Sequence, residues 1–520
     1  MLHPSHTVTA QKSMMGTAPL RRPGARVIAD EQPLSVSLKA TVMNDVKITR
    51  KRDAANKGPA MIKNGDENAQ LYAYEQQQKD AFDKIVPILK RISAKQHDQD
   101  FVVQAQTIAR NELGYELPED ILNTAWVDQL DMKGLYAWCV FETYRQYCND
   151  FYTQEALKHP NEEEFESFAQ SCGFHTIDVS PCADGRLAHV IRYVLRLPIP
   201  KVRRKSYAGA LFDIEDSVQK WVETEYYRYR EGKPNTSDEF TRYLKIVTYH
   251  FSSVDPQHEG CAAHGSDTQK AAYAGLERLQ DFKSAIENGF CCGASIDLLL
   301  IGVDTDTDSI RVHIPDNDGN TSIAVYLDTL RLYQDYARES HISDNVLEQK
   351  IVSLNQEVAQ GMMKFIIYLM NNNFQQIAYV KRYFDSHYAD IGHAERFIGA
   401  GIGYEEIQLR NLMYFAYLQT VEEATKDLDV GIKIFTGLNI QKGLPVPIVV
   451  RFDHHSHIPG SKERAVKRCQ QVTEAIKDRY QNLCDKGLIY ILQVTRDCDQ
   501  RESIEILNNS VLNAISHGGH

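Results

Sequence analysis

The run 180-SPCADGR sets a thiol (Cys182), a carboxylate (Asp184) and a guanidinium (Arg186) at alternating positions, and a later stretch runs from an imidazole, His250, to a second thiol, Cys261. Two cysteines and one histidine are an accepted ligand set for a catalytic Zn2+, which keeps a fourth position open for water. Two thiolates and a neutral imidazole leave such an ion formally uncharged, so its water ionises less readily than on a three-imidazole zinc and needs a helper. Asp184 can accept a hydrogen bond from that water or hydroxide and fix its remaining lone pair toward an electrophile. Arg186, paired with Asp184 in a charge-assisted fork, makes a carboxylate tolerable beside hydroxide. His258, as His-x-x-Cys with Cys261, and His264, as Cys-x-x-His, compete with His250 for the imidazole position. His250 is favoured because a strand end places a ligand rigidly, whereas His258 lies in a proline-containing loop. Without the thiols and imidazole, Asp184 and Arg186 would read as a helix start with a surface ion pair.

These residues need elements to hold them. The stretch 174-FHTIDVSP alternates like a strand and ends at Cys182; Leu187, Val190, Ile191, Val194 and Leu195 then follow helical spacing, so residues 184–186 open a helix that Pro198 and Pro200 close. A helix through 162-EEEFESFAQSCG, capped by Asn161 and stopped by Gly173, precedes the strand. A second strand, 243-YLKIVTYH, ends at His250 and leads into 251-FSSVDPQHEGCAAHGSD, followed by a helix over about 267–288 and an apolar strand, 296-IDLLLIGV, suited to burial on both faces. Strands alternating with helices indicate an α/β sheet, whose sites lie at the carboxyl ends of its strands.

Upstream, residues 66–158 show helical spacing (Ala81, Ile85, Ile88, Leu89, Ile92, then 101-FVVQAQTIARNELG and 133-KGLYAWCVFETYRQYCNDF), with Cys139 and Cys148 as core or half-buried thiols. Downstream, strands near 428-LDVGIKIF, 446-VPIVVRF and 488-LIYILQVT suggest a second copy of the fold, and 494-VTRDCDQR echoes 179-VSPCADGR, although Cys498 lacks a surrounding His and Cys cluster. The expected organisation is a disordered basic arm (1–65), a helical domain (66–158), a zinc-binding catalytic α/β domain (159–397) and a C-terminal domain (398–520).

At 520 residues, 43% hydrophobic and 25% charged, the chain has the composition of a soluble protein of about three domains. It has no apolar run of about 18 residues to span a membrane and no secretory leader, so the expected compartment is the cytoplasm, where its ten scattered cysteines stay reduced. The net charge of −12 argues against nucleic-acid binding. The first 63 residues are the exception: eleven Lys or Arg stand against Asp30, Glu31, Asp45 and Asp53, which makes a cationic arm either a tether for an acidic partner or a solvated tail.

Cys-x-Asp-x-Arg at a strand-to-helix turn, with a histidine and cysteine from a later strand end, resembles the zinc signature of β-type carbonic anhydrases. The phrases 181-PCADGRL, 251-FSSVDP, 260-GCAAHGS, 290-FCCGASID, 300-LIGVDTDTD and 391-IGHAERFIG resemble a divergent branch, the carboxysomal shell carbonic anhydrases once called the ε class. The resemblance implies Cys182, His250 and Cys261 as zinc ligands, Asp184 with Arg186 as the orienting pair, and His393 as a further active-site histidine that positions groups or transfers a proton. It also implies reversible hydration of CO2 to bicarbonate by zinc-bound hydroxide, residence in the α-carboxysome among shell proteins and Rubisco, an oligomer of at least two chains, and a tail domain that is a β-type unit without its zinc site. Ordinary β enzymes carry His-x-x-Cys, whereas ten residues separate His250 from Cys261; the carboxysomal branch has the longer interval, and His258 stays open as the other imidazole.

Other functions lack their motifs: no Gly-x-Gly-x-x-Gly marks a dehydrogenase and no His-x-Glu with Pro-Cys-x-x-Cys a deaminase. The remaining alternative is a zinc-stabilised scaffold protein of the shell without catalysis. The run 453-DHHSH reads as a polar loop, Asp304, Asp306 and Asp308 as an acidic loop at a strand end, the adjacent Cys291 and Cys292 as packing residues, and 201-KVRRKSYAG as either an anion contact or a solvated segment.

Overall fold

The computed structural model describes residues 65–512 except Trp126, Asp128, 155–161, 199–201, Pro234, 237–240, 291–294, Asn317, Gly319, 337–341, Ile407, 419–423 and 501–502, all within one unit, Ala54–His520. The basic arm, Asn161, Pro200, Cys291 and Cys292 lie outside the described residues.

Six helices come first: α1 (Gly65–Asp83), α2 (Ile85–Ser93), α3 (Phe101–Glu112), α4 (Glu119–Thr124), α5 (Met132–Gln154) and α6 (Glu162–Ser171). Their apolar residues recur every three or four positions, as in α2, where Ile85, Ile88, Leu89 and Ile92 are all buried. The same core takes in Cys139 and Cys148 and continues onto one face of a distant sheet through Phe397, Val449 and Leu492. Gly173, at φ +90°, ends α6 in the left-handed conformation that glycine adopts without penalty.

The first sheet has six strands: β1 (Thr176–Pro181), β2 (Arg203–Arg204), β3 (Arg242–Phe251), β4 (Ser295–Asp304), β5 (Ile310–His313) and β6 (Tyr326–Asp328), in the order β2-β1-β3-β4-β5-β6. The first four are parallel and the last two antiparallel. Ile296, Leu298, Leu299, Leu300, Ile301 and Val303 are all buried, as a strand covered on both faces requires. Around it lie α7 (Ile214–Arg230), α8 (Thr268–Phe290), α9 (Thr329–Asp335), α10 (Asp344–Leu354) and α11 (Gln360–Tyr383).

The second sheet is built from β7 (Phe397–Gly401), β8 (Met413–Tyr417), β9 (Val446–Arg451), β10 (Ile489–Thr495) and β11 (Glu505–Asn509), ordered β11-β10-β9-β7-β8, with α12 (Ala424–Leu438), α13 (Ser461–Arg479) and α14 (Gln481–Asp485). Strands β8, β7, β9 and β10 are parallel and β11 is antiparallel. Taken as β8-β7-β9-β10-β11, it repeats β2-β1-β3-β4-β5 in order and in every strand direction. The fold is therefore α/β with a helical N-terminal region and two topologically equivalent sheets.

Several local expectations change. Residues 428–435 are helical, not a strand: they lie in α12, where Leu428, Ile432 and Phe435 are buried at helical spacing while Val430 and Ile434 are only half-buried. The segment after Cys182 is not one α-helix but a 3-10 turn (Gly185–Leu187) followed by a π-type turn (Val190–Val194); apolar side chains are buried on all its sides, so no solvent face imposes a regular 3.6 period. Lys205, Ser206 and Tyr207 are buried, with Lys205 ion-paired to Asp216, which excludes the solvated reading of that part of the insertion. The register also reassigns the echo: β10 leads into 494-VTRDCD as β4 leads into 303-VDTDTD, so the tail phrase matches the loop after the fourth strand and not the Cys182 turn.

Candidate metal centre

Cys182 follows directly on β1 and is held there by a parallel bridge to Tyr207 and by the Gly209 N–H, which donates to its sulfur at 3.3 Å. His250 lies on β3, the neighbouring strand, and is fully buried. Cys261 precedes the 3-10 turn Ala262–His264, in a loop closed by the Ser266 N–H donating to the Cys261 carbonyl at 3.0 Å. Gly260 is required here because a Cβ would come within 2.8 Å of the Ser266 backbone. Three separate elements thus bring one ligand atom each of Cys182, His250 and Cys261 within 4.8 Å of one another.

The donor set fits zinc. Among the described residues, neither ring nitrogen of buried His250 has a hydrogen-bond partner, an arrangement that is costly unless something else takes a lone pair. The two thiols face each other: the hydrogen bond to Cys261 together with burial raises Cys182 well above the ordinary thiol range, while the same bond lowers Cys261. A cluster of two sulfurs and a bare imidazole offers the N and S ligands that Zn2+ takes.

His258 is not part of this cluster. Its side chain is 75% exposed and engages Asp255, with Nδ1 2.9 Å from Oδ1. His264 is buried behind the turn, its Nε2 3.3 Å from the Gly209 carbonyl oxygen.

Asp184 accepts from Arg186 Nε at 3.0 Å (Oδ1) and from Nη2 at 2.7 Å (Oδ2), and its Oδ1 also accepts the Arg186 backbone N–H at 2.9 Å. Arg186, fully buried, is itself fixed by the carbonyls of Glu259 (2.5 Å), Ile391 (3.1 Å) and Gly260 (3.3 Å). Burial pushes the Asp184 carboxyl up, but the Arg186 guanidinium, with His393 and His250 behind it, outweighs this and holds it well below the usual carboxylate range. Asp184 Oδ2 stands 3.5 Å from His250 Nε2 and 3.8 Å from His393 Nε2.

His393 is also in place, and with it a residue that the sequence did not single out. Glu395, fully buried at its side chain, lies 2.9 Å from His393 Nδ1 and accepts the Gly185 N–H at 3.0 Å through the same Oε1. Burial lowers His393, but Asp184 and Glu395 overcome it and bring it to about 9. Gly185 is the only residue type that tolerates this approach, since a Cβ would meet Glu395 Cγ at 2.3 Å. The acidic loop has a positioning use as well: Asp306 Oδ2 accepts from Ser252 Oγ (2.7 Å) and the Val254 N–H (2.8 Å), while Asp304 Oδ1 accepts the Ser253 N–H (3.2 Å), so β4 shapes the loop between His250 and Cys261.

Beside the cluster is a recess with room for about one water-sized molecule. Ala208, Gly209, Ala262 and Ala263 line it from one side, and Tyr414, Val430 and Ile434 from β8 and α12 close it from the other. The turn is also bonded to the second sheet: the Phe415 N–H donates to the Ala183 carbonyl at 3.1 Å and the Asn411 N–H to the Gly185 carbonyl at 2.8 Å.

Comparison with known proteins covers nearly all of this architecture. Family models for the N-terminal, catalytic and C-terminal parts of Carboxysome Shell Carbonic Anhydrase match residues 61–152, 164–393 and 394–511. A carboxysome shell carbonic anhydrase of Prochlorococcus marinus (strain MIT 9313) is 52% identical over 85% of this chain and 88% of its own length. That of Parasynechococcus marenigrum (strain WH8102) is 51% identical over 85% and 78%, and that of Halothiobacillus neapolitanus 42% identical over 81% and 85%. No helix among the described residues is long and apolar enough to cross a membrane.

Proposed function

The chain belongs to the carboxysome shell carbonic anhydrase family, and on that premise we propose that it interconverts CO2 and bicarbonate at a zinc ion held by Cys182, His250 and Cys261. The names of its relatives support a carbonic anhydrase working in the carboxysome. The observation that carries the zinc reading is the buried, unpartnered His250 ring facing two cysteines beside an intact Asp184–Arg186 pair.

Bound there, zinc would supply the Lewis acidity that draws ionisation of a coordinated water down toward neutral pH. The chain's own residues do the rest. Asp184, kept ionised by Arg186, accepts a hydrogen bond from the attacking oxygen and so aims its lone pair. The small apolar wall of Ala208, Ala262, Val430 and Ile434 receives CO2, which carries no charge to grip. His393, oriented by Glu395 through Nδ1, presents Nε2 toward the Asp184 side; held protonated there at neutral pH, it relays protons by giving one to bulk buffer before it takes up the one released.

The setting follows from the same family. The proposed physiological direction is release of CO2 from accumulated bicarbonate for Rubisco, with the cationic arm of residues 1–63 as a tether to an acidic neighbour and the chain assembled as an oligomer built from dimers. Stopped-flow CO2 hydration with the zinc-loaded full chain tests the enzyme reading. Wild type is expected to be active, Cys182→Ser to lose metal and activity together, and Asp184→Ala to keep metal while losing on the order of 100-fold in rate. An inactive zinc-loaded wild type, under both reducing and oxidising conditions, would leave a scaffold.

A further inference from the structure

A second group of metal-ligating side chains gathers away from this centre, on the loops that follow β9 and β10. His455 and His457 come from the first loop and Asp499 from the second, with one ligand atom of each inside a 4.8 Å span. Asp499 Oδ1 lies 2.8 Å from His455 Nδ1, and Oδ2 lies 2.6 Å from His457 Nδ1 while also accepting the His457 backbone N–H at 3.1 Å. Sequence alone presented 453-DHHSH as a polar loop because the carboxylate that completes the group arrives from more than forty residues away, as the His455–Asp499 pairing records.

The loops are set before any ligand arrives. Asp497 Oδ1 accepts the N–H groups of Ser456 (3.2 Å) and Asp499 (3.0 Å), the His455 N–H donates to Ser461 Oγ (3.1 Å), and backbone bonds tie His454 to Arg496 and Cys498 at 2.9 Å each. The three side chains remain open to solvent, with His455 50% and His457 68% exposed, so a cation could enter and keep water in its other positions.

We propose that His455, His457 and Asp499 form a second divalent-cation site, of zinc type, at the carboxyl ends of the second sheet. Two imidazoles and one carboxylate are a borderline donor set that suits Zn2+, Co2+ or Ni2+, whereas Ca2+ and Mg2+ want oxygen from every side. The Asp499 carboxylate meets both rings and the His457 backbone N–H through its two oxygens, so it faces the gap between the imidazoles. Each ring frees its Nδ1 lone pair by moving its proton to Nε2, a tautomer shift that costs little where solvent can take the new N–H. The cation then clamps the two loops together at a point independent of Cys182, His250 and Cys261.

Equilibrium dialysis of the full chain against Zn2+, with metal counted by mass spectrometry, decides it. Wild type is expected to hold two ions per chain and the His455→Ala/His457→Ala double variant one, with CO2 hydration unchanged. Asp499→Asn, which keeps the shape but not the charge, should weaken the second ion at least about tenfold. With Co2+ in place of zinc, the ion lost in the double variant should show ligand-field bands without sulfur-to-metal charge transfer. Equal metal counts in wild type and double variant overturn the proposal, as does charge transfer on the lost ion. One ion in wild type, lost on Cys182→Ser and kept in the double variant, would leave the function proposed above standing and remove this site.

Discussion

Arg451 stands at the end of β9 in the place that His250 holds at the end of β3. Each pairs with the valine one residue before the end of the neighbouring strand, Val494 or Val303, and each precedes a phenylalanine, Phe452 or Phe251. Counting along the β7–β9 register puts Ala400 where Cys182 stands. The guanidinium is fully buried and donates to Glu406 at 2.9 and 3.0 Å and to Asp453 at 2.8 Å from both Nε and Nη2. The second sheet therefore carries a covalently attached cation where the first presents the proposed ligand His250.

Replacing that cation leaves buried carboxylates behind. Arg451→Met is expected to destabilise the protein by about 3–5 kcal/mol, the usual cost of removing one partner of a buried ion pair. Burial already pushes Asp453 up to about 6 against the pull of Arg451, so its loss also favours a protonated Asp453. Thermal unfolding of wild type and variant at neutral pH checks the magnitude.

The imidazole assignment separates two variants. His250→Ala should lose the zinc at Cys182 and Cys261, one ion per chain fewer than wild type, because among the described residues no other imidazole groups with the two sulfurs; His258→Ala should keep the full count, since His258 is exposed and engaged with Asp255. Metal analysis after gel filtration distinguishes them, and the reverse result would move the ligand.

Glu395 acts through His393. Glu395→Gln removes the charge yet keeps an acceptor of similar shape for the Gly185 N–H, so zinc content should be unchanged while kcat in dilute buffer falls on the order of tenfold with KM little altered. Concentrated imidazole buffer should restore the rate in this variant and in His393→Ala. A purely structural Glu395 would show no such rescue.

His313 predicts one component of acid sensitivity. Its ring is buried against Tyr249 (Nε2 to OH 2.9 Å), and burial lowers it from 6.5 to about 4. Between those values the unfolded chain binds the proton and the folded chain does not, so stability falls as pH falls through this window, by on the order of 1 kcal/mol per pH unit. Asp304, raised to about 6 by burial, contributes the opposite slope over part of the range, so the comparison must be between wild type and His313→Gln. The variant should lose less of its melting temperature on acidification from about pH 6.5 to 4.5.

Much of this was readable from residue types. Cys182, Asp184, Arg186, His250 and Cys261 sit at the ends of β1 and β3 or in the loop that follows, where period-two alternation changes to turn residues, and that change is a local signal. Glu395 was not readable: its meaning depends on Gly185, which is 210 positions away, and a single carboxylate after a histidine carries no pattern. The short strands β2, β5, β6, β8 and β11 have two to five residues each, too few for alternation to stand out. Residues 428–435 misled because Leu428, Val430, Ile432 and Ile434 alternate over a short window, while Leu428, Ile432 and Phe435 also satisfy the helical period; only packing on the second sheet chooses between the two.

Duplicated segments are ordinarily dispensable once one copy has given up its chemistry. Here the copy with Arg451 supplies Val430, Ile434 and Tyr414 to the recess and holds the carbonyls of Ala183 and Gly185 through Phe415 and Asn411. A gene truncated before β7 would thus delete Tyr414, Val430 and Ile434 from the wall of the proposed centre, and the two sheets are bound to a shared inheritance: the one with Arg451 cannot be shed by the one with Cys182 and His250.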